Sequence, residues 1–264
     1  MRTTLLDVGG SFIKCADGRK IPVPSMGSRE GIAAALREAV GSPLEDGTDG
    51  VGVAIPGPFD YRRGIFLMKH KYPAVYGERF AGLAGIPEGV PVRFMHDVNA
   101  PLAGAVRRTG IRDASLVSLG TGLGFSYALG GEVKENENGS PLLSLWNRPW
   151  NGGILEDGVS ARAIAGGYAG KTGKPALTAR DIALLADAGD PAAREVYAET
   201  GARLGEALRP DLAEMGIRML WMGGQISAAL HHMAGPLQDA LEGVSIAPVP
   251  EGAVFEGLST LFAQ

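Results

Sequence analysis

The sequence predicts an α/β fold made of two similar halves, and three observations carry that expectation. One pattern occurs twice: residues 3–14, Thr-Thr-Leu-Leu-Asp-Val-Gly-Gly-Ser-Phe-Ile-Lys, and residues 115–128, Ser-Leu-Val-Ser-Leu-Gly-Thr-Gly-Leu-Gly-Phe-Ser-Tyr-Ala, each read as strand, glycine turn and second strand. Strand-like and helix-like segments alternate along the rest of the chain, the order that α/β proteins show. A length of 264 residues with 45% hydrophobic content suffices for one large core or two modest ones. The 40 glycines and 17 prolines fall between periodic segments and not in low-complexity tracts, so they punctuate many short elements.

The first turn is Gly9-Gly10-Ser11, and Phe12 to Cys15 runs on as a short apolar strand into Asp17-Gly18, a hairpin dipeptide. Residues 28–40 have helical spacing with Ser28 as cap. Val51 to Ile55 reads as a buried strand closed by the stiff turn Pro56-Gly57-Pro58-Phe59-Asp60, whose rigidity suits the lip of a pocket. Pro91 to Met95 is the next strand. His96-Asp97-Val98-Asn99 turns from it into a helix that Asn99 can cap, with Pro101 in the first turn where its missing N–H does no harm. A domain boundary is expected at residues 107–114, dividing the chain into 1–110 and 111–264. Beyond it, Phe125 to Ala128 leads into Gly130-Gly131, residues 160–168 and 192–208 are helical, and Met219 to Met222 is a strand. That strand closes with Gly223-Gly224-Gln225 and enters a further helix.

A turn without β-carbons brings backbone N–H groups close to an anion, and two such turns suggest half-molecules gripping a polyphosphate from opposite sides. Each turn taken singly is as often a plain hairpin loop. Strands follow both turns, where a dinucleotide fold or a P-loop would place a helix, and no Gly-Lys-Ser/Thr is present after either. A net charge of -4 offers no broad basic surface, which argues against nucleic acid as the main partner. No apolar run is long enough to span a membrane and the N-terminus does not resemble a signal peptide, so a cytoplasmic location is expected.

Asp97 stands between a strand and a helix, where a carboxylate projects from the end of a sheet. Phosphoryl transfer to an alcohol needs a group that orients the hydroxyl and accepts its proton, and Asp97 is the candidate base, the competing reading being a helix cap. Asp7 ends the first strand just before Gly9-Gly10, where its charge would repel phosphate unless a cation intervened. It is the candidate magnesium partner through water, against the alternative of an Asp bonded to its own turn. His231 and His232 are adjacent on a helix, face different directions and make poor joint metal ligands. Lys69, His70 and Lys71 form a basic cluster that either greets phosphate or is a solvated loop. Cys15, the single cysteine, reads as a small buried hydrophobe.

Taken in order, Leu6-Asp7-Val8-Gly9-Gly10-Ser11, Ala54-Ile55-Pro56-Gly57-Pro58, His96-Asp97-Val98-Asn99-Ala100, Ser118 to Gly124, Gly153-Ile154-Leu155-Glu156 and Met222-Gly223-Gly224 closely resemble the ROK family of bacterial sugar kinases. The match spans nearly the whole chain. The resemblance implies a two-lobed actin-like ATPase fold, a duplicated ribonuclease H-like architecture with an interdomain cleft, and a last helix near residues 254–262 packing on the first lobe. It implies ATP with Mg2+, transfer of the terminal phosphate to a hexose or amino-sugar hydroxyl, and Asp97 as base. Asp7, Gly9, Gly10, Ser11 and Lys14, then Gly120, Thr121 and Gly122, then Gly223, Gly224 and Gln225 become the nucleotide contacts. His96, Asn99, Glu156 and Gly57 become the substrate contacts, and a homodimer is consistent with the family.

The departures are specific. The family's zinc loop reads Cys-x-Cys-Gly-Asn-x-Gly-Cys-Leu-Glu; here Asn147, Pro149 and Ile154 stand at the cysteine places, so no zinc site is expected there. The family's Glu-x-Gly-His sugar motif has no counterpart within residues 132–145, and His96 stands where an asparagine is usual. Trp146 and Trp150 read as stacking platforms for a sugar ring or, equally, as hydrophobic loop anchors. Two other readings remain: a non-catalytic sugar or nucleotide sensor, lacking the helix-turn-helix of the family's repressors, and a kinase drawing on polyphosphate.

Overall fold

The computed structural model describes residues 2–45, 47–174 and 177–263. The chain divides into two compact units, one formed by residues 1–110, 133–142 and 250–264, the other by 111–132 and 143–249. A single cut at residue 110 therefore becomes a discontinuous division with two returning segments.

In the first unit the elements are β1 (Thr3–Val8), β2 (Phe12–Cys15), β3 (Lys20–Pro22), α1 (Arg29–Glu45), β4 (Gly50–Ile55), the short pair β5 (Phe59–Asp60) and β6 (Ile65–Phe66), α2 (Phe80–Leu83), β7 (Val92–His96) and α3 (Asn99–Thr109). The sheet order is β3-β2-β1-β4-β7. β1 runs antiparallel to β2 and parallel to β4, and β4 is parallel to β7. All of β4 is buried, as a central parallel strand covered on both faces requires. Ser28 caps α1 as its position suggests, its Oγ accepting the Gly31 N–H at 3.2 Å. Leu6, Ile13, Ile32, Leu36, Val53, Phe66 and Phe80 meet in one core.

The second unit repeats the plan. Its elements are β8 (Ala114–Leu119), β9 (Leu123–Leu129), β10 (Glu132–Val133), the hairpin β11 (Pro149–Trp150) and β12 (Gly153–Ile154), α4 (Leu155–Val159), α5 (Ala161–Thr172), α6 (Ala179–Asp187), α7 (Pro191–Glu214), β13 (Met219–Gly223), a 3-10 turn at Gln225–Ala229, α8 (Leu230–Ala240) and β14 (Ser245–Pro248). The sheet order β10-β9-β8-β13-β14 mirrors the first, with β8 antiparallel to β9 and parallel to β13.

The last helix, α9 (Ala253–Thr260), packs on α3 in the first unit. Glycine is required on both sides of that crossing. A β-carbon at Gly104 would stand 1.8 Å from the Ala253 carbonyl oxygen, and one at Gly257 would stand 1.8 Å from that of Ala100. Gly104 weakens α3 by about 1 kcal/mol relative to alanine, and the close backbone approach is what it permits in return. Since α3 starts two residues after Asp97, this crossing fixes the segment that carries the candidate base. Among the described residues no helix is long and apolar enough to cross a membrane.

Candidate active site

Register brings the first cluster together. In the first sheet Asp7 pairs with Ala54 and Ile55 pairs with His96, so the carboxyl ends of β1, β4 and β7 deliver Asp7, Gly57 and Asp97 to one edge. That edge is where parallel sheets place ligand chemistry. Of the Asp97 side chain 41% stays open to solvent. His96 Nδ1 faces Asp97 Oδ1 at 2.9 Å and the Val98 N–H at 3.3 Å. One nitrogen cannot donate to the carboxylate and accept from the amide together, and the shorter contact favours donation to Asp97. Burial pushes the Asp97 carboxyl up, but the His96 hydrogen bond and charge, the Lys71 ammonium and the Val98 amide outweigh it and hold the group below the usual carboxylate range.

Asp7 behaves in the opposite way. Burial pushes its carboxyl up, Lys14 opposes this from 3.1 Å, and the Asp97 charge adds to the rise. An ionised Asp7 is thus poorly solvated beside a second carboxylate. A hard, oxygen-seeking cation would relieve it, so the donor chemistry fits hydrated magnesium. Lys14, expected to reach phosphate, is occupied with Asp7 and largely exposed.

The first glycine turn is braced by side chains that sequence reasoning did not select. Tyr72 donates its hydroxyl to the Gly9 carbonyl, and Ser25 donates to that of Gly10. Tyr72 is fully buried and left-handed, with φ 56, an unusual state for a bulky residue and one that persists only where the surroundings enforce it. Its neighbour Lys71 lies over the turn: a β-carbon at Gly10 would be 3.6 Å from Lys71 Cε. Of the Lys69 to Lys71 cluster, Lys71 is therefore the member held at the turn and within electrostatic reach of Asp97. Ser11 is exposed at the same turn, its carbonyl accepting the Val23 N–H.

Around His96 a second set of groups converges. Tyr61 donates to the Ile55 carbonyl at 3.0 Å and its ring lies 5.7 Å from that of His96. A β-carbon at Gly57 would come within 3.4 Å of both His96 Nε2 and Tyr61 Oη, so glycine keeps that spot open. Asn99 departs from its expected role. Val98 is the cap residue of α3 with no side chain capping it, and the buried Asn99 instead donates Nδ2 to Glu135 Oε1 at 2.8 Å. A tertiary partner has won over local capping. Glu135 belongs to the returning segment 133–142, which Gly139 seats against Tyr61. Burial raises its carboxyl, against the Asn99 hydrogen bond and the His96 charge. No local signal marks Glu135, because the family's motif is not spelled there.

In the second unit Glu156 closes on the second glycine turn. Its Oε2 accepts the Leu123 N–H at 3.0 Å and its Oε1 accepts from Arg162 at 3.2 Å. Gly120 donates to the Gly122 carbonyl, and its own carbonyl accepts the Ala161 N–H. Thr121 is exposed at the tip of this turn. Gly224 has φ 82, and its missing β-carbon faces the Leu119 carbonyl oxygen at 2.1 Å, a packing demand that Gly223 does not share. Gln225 opens the 3-10 turn. The hairpin carrying Asn147, Pro149 and Ile154 is tied down by Arg148, which pairs with Asp211 at 2.6 and 2.9 Å and bonds the Ala207 carbonyl. Trp150 packs against the core as an anchor, whereas Trp146 is exposed. The expectation that His231 and His232 diverge fails: both Nε2 atoms reach Asp187 Oδ1, at 2.9 and 2.8 Å, because α6 ends between the two side-chain directions.

No known protein-family model matches the chain, and no curated protein matches it by sequence. Solved structures do. The chain is similar to a ROK family glucokinase from Streptomyces griseus, in complex with glucose and AMPPNP, with a TM-score of 0.77, 22% identity and 98% of each chain covered. A ROK hexokinase from Thermus thermophilus gives 0.74 at 23% identity, over 98% of this chain and 96% of that one. An inorganic polyphosphate/ATP-glucomannokinase from Arthrobacter sp. strain KM gives 0.66 at 19%, over 98% of each. The class is thereby defined by fold: a mixed α/β protein with two five-stranded sheets and the actin-like ATPase fold of the first two of these structures, the ROK proteins.

Proposed function

We propose that the chain is a member of the ROK sugar kinases that transfers the terminal phosphate of ATP to a hydroxyl of a hexose or hexose derivative. One observation carries this reading: an ionised carboxylate, Asp97, stands at the carboxyl edge of the sheet beside the first glycine turn, with Lys71 within electrostatic reach. In the reaction the sugar oxygen bonds to the terminal phosphorus, the bridging bond to ADP breaks, and the hydroxyl proton passes to Asp97. A lowered carboxyl suits this step, because a loose transition state needs the hydroxyl aligned early and its proton removed late.

Asp7 is the residue that would hold hydrated Mg2+, which when bound neutralises phosphate charge. In the first unit Lys71 and the turn of Gly9, Gly10 and Ser11 are the candidates for phosphate contact; in the second, Gly120, Thr121 and Gly122 are the candidates for phosphate, and Gly223, Gly224 and Gln225 for the nucleoside. On the acceptor side Asn99 and Glu135 form a bonded donor-acceptor pair next to His96, Tyr61 and Gly57, suited to sugar hydroxyls. In the second unit, taken by itself, Glu156 keeps unused lone pairs that suit a sugar hydroxyl. Polyphosphate is the second donor, favoured by Lys71 at the turn and by the likeness to a polyphosphate/ATP glucomannokinase.

The test is an acceptor screen over glucose, fructose, mannose and N-acetylated hexosamines, with ATP and with polyphosphate, run on the wild type and Asp97→Asn. Turnover in the wild type and a loss of about 100-fold or more in the variant, with nucleotide binding retained, are expected. Because Asp97 acts ionised, the acid limb of kcat/KM should lie below the ordinary value of about 3.9, and removing the donor with His96→Ala should move it upward. Equal turnover in Asp97→Asn would take the residue out of the mechanism. Sugar binding with no transfer to any acceptor would favour the sensor.

A further inference from the structure

Asp187, His231 and His232 in the second unit offer three ligand atoms that all lie within 4.8 Å of one another. Nothing in the phosphotransfer reading uses them. Their arrangement differs from that of a surface ion pair. Both imidazole Nε2 atoms address the same carboxylate oxygen, at 2.9 and 2.8 Å, and the two rings lie 4.0 Å apart between centroids. Ligand atoms on a tetrahedral zinc ion stand about 3.3 Å apart, so a small opening of this cluster admits the ion.

The cluster is also built on anchored elements. Asp187 is the last residue of α6, and the end of that helix is held by Arg194, which donates Nε to the Ala186 carbonyl at 2.9 Å. The start of α6 is held by Tyr197, whose hydroxyl donates to the Ala179 carbonyl at 2.6 Å and whose ring lies 5.9 Å from that of His232. His232 is 11% exposed, so its ring is fixed by packing, while His231 and Asp187 are 60% and 50% exposed and leave the open side to solvent. Two imidazoles, one carboxylate and an open fourth position form a donor set that borderline transition metals prefer, and magnesium and calcium do not.

We propose that Asp187, His231 and His232 bind a divalent transition metal ion, zinc by ligand chemistry, with water in the fourth position. The ion staples the end of α6 to the first turn of α8, the helix that follows the Gly223-Gly224 turn. The site is independent of the kinase reading and stands or falls without it.

The experiment strips the protein with chelator, dialyses it against zinc chloride and counts bound metal, with cobalt absorption reporting tetrahedral coordination. The wild type should take up a single equivalent, show the tetrahedral cobalt bands and unfold at higher temperature with zinc than without. His231→Ala alters an exposed side chain and keeps the fold, which circular dichroism verifies. It and Asp187→Asn should weaken zinc about tenfold or more and remove the thermal shift, while His70→Ala changes neither. No uptake by the wild type, or equal uptake by the His231→Ala/His232→Ala double variant, overturns the proposal and leaves the cluster as hydrogen bonds alone.

Discussion

At the first glycine turn the carbonyls of Gly9 and Gly10 accept hydroxyls from Tyr72 and Ser25, whereas at the second the Leu123 amide is covered by the carboxylate of Glu156. The same strand-turn-strand geometry is thus braced in two electrostatic senses. In the first unit the oxygen ends are tied off and a lysine lies over the turn, which raises the local positive potential. In the second an internal anion already occupies one amide, so that turn is partly neutralised. The two turns share a backbone plan and differ in the side chains behind it.

The largest effect should come from the glycines themselves. Gly224→Ala puts a β-carbon 2.1 Å from the Leu119 carbonyl oxygen at a positive φ, and a loss above about 3 kcal/mol is expected in denaturant unfolding. Gly10→Ala meets Lys71 methylenes at 3.6 and 3.7 Å and Ser25 Oγ at 3.8 Å, all ordinary contacts, and should cost below about 1 kcal/mol in stability while lowering turnover. Equal destabilisation by both would erase the distinction between a turn kept open for a ligand and one kept open for backbone.

Tyr72→Phe comes next. It removes the donor to Gly9 and leaves a carbonyl short of its partner, at about 1–3 kcal/mol. Turnover should fall with it, and amide exchange should quicken in the first unit without change in the second. Glu156→Gln, its counterpart, keeps an acceptor for Leu123 and loses only the pair with a mostly exposed Arg162. Its stability cost should stay within about 1 kcal/mol, and a larger loss would mean that the charge, and not the acceptor, holds the second turn.

Much of this arrangement was legible in the sequence, for reasons tied to range. The glycine turns, the buried strands β4 and β13 and the strand-to-helix junction at Asp97 are written in consecutive residues, and periodicity or turn chemistry reads them directly. Tyr72 and Glu135 are not, because each is delivered by a loop whose path depends on what it packs against, and Lys71 is legible only as one member of a basic cluster. Asn99 shows the limit of a correct local rule: its capping preference is real, but Glu135 supplies a tertiary partner for the buried amide from 36 residues away. The two adjacent histidines show the same limit, since angular separation on one helix says nothing about a carboxylate brought in by another. Gly104 reads as a weak point of α3 until α9 explains it.

The smallest effect, and the one with the sharpest sign, concerns Asp7. Burial raises its carboxyl above the unfolded value of about 3.9. Above the raised value the group is ionised in both states, and the fold carries the penalty of an ill-solvated charge. As pH falls through that value the folded state takes up its proton first, and the penalty is relieved. Asp7→Asn removes the charge at every pH at the expense of an exposed pair with Lys14, worth at most about 1 kcal/mol. The variant should therefore unfold at a higher temperature than the wild type near neutrality, and the difference should shrink on acidification. A gap that is constant with pH would show that burial does not govern this carboxylate. Magnesium with nucleotide should raise the unfolding temperature of the wild type and fail to do so in the variant, because the charge that weakens the empty fold is the one that the cation meets.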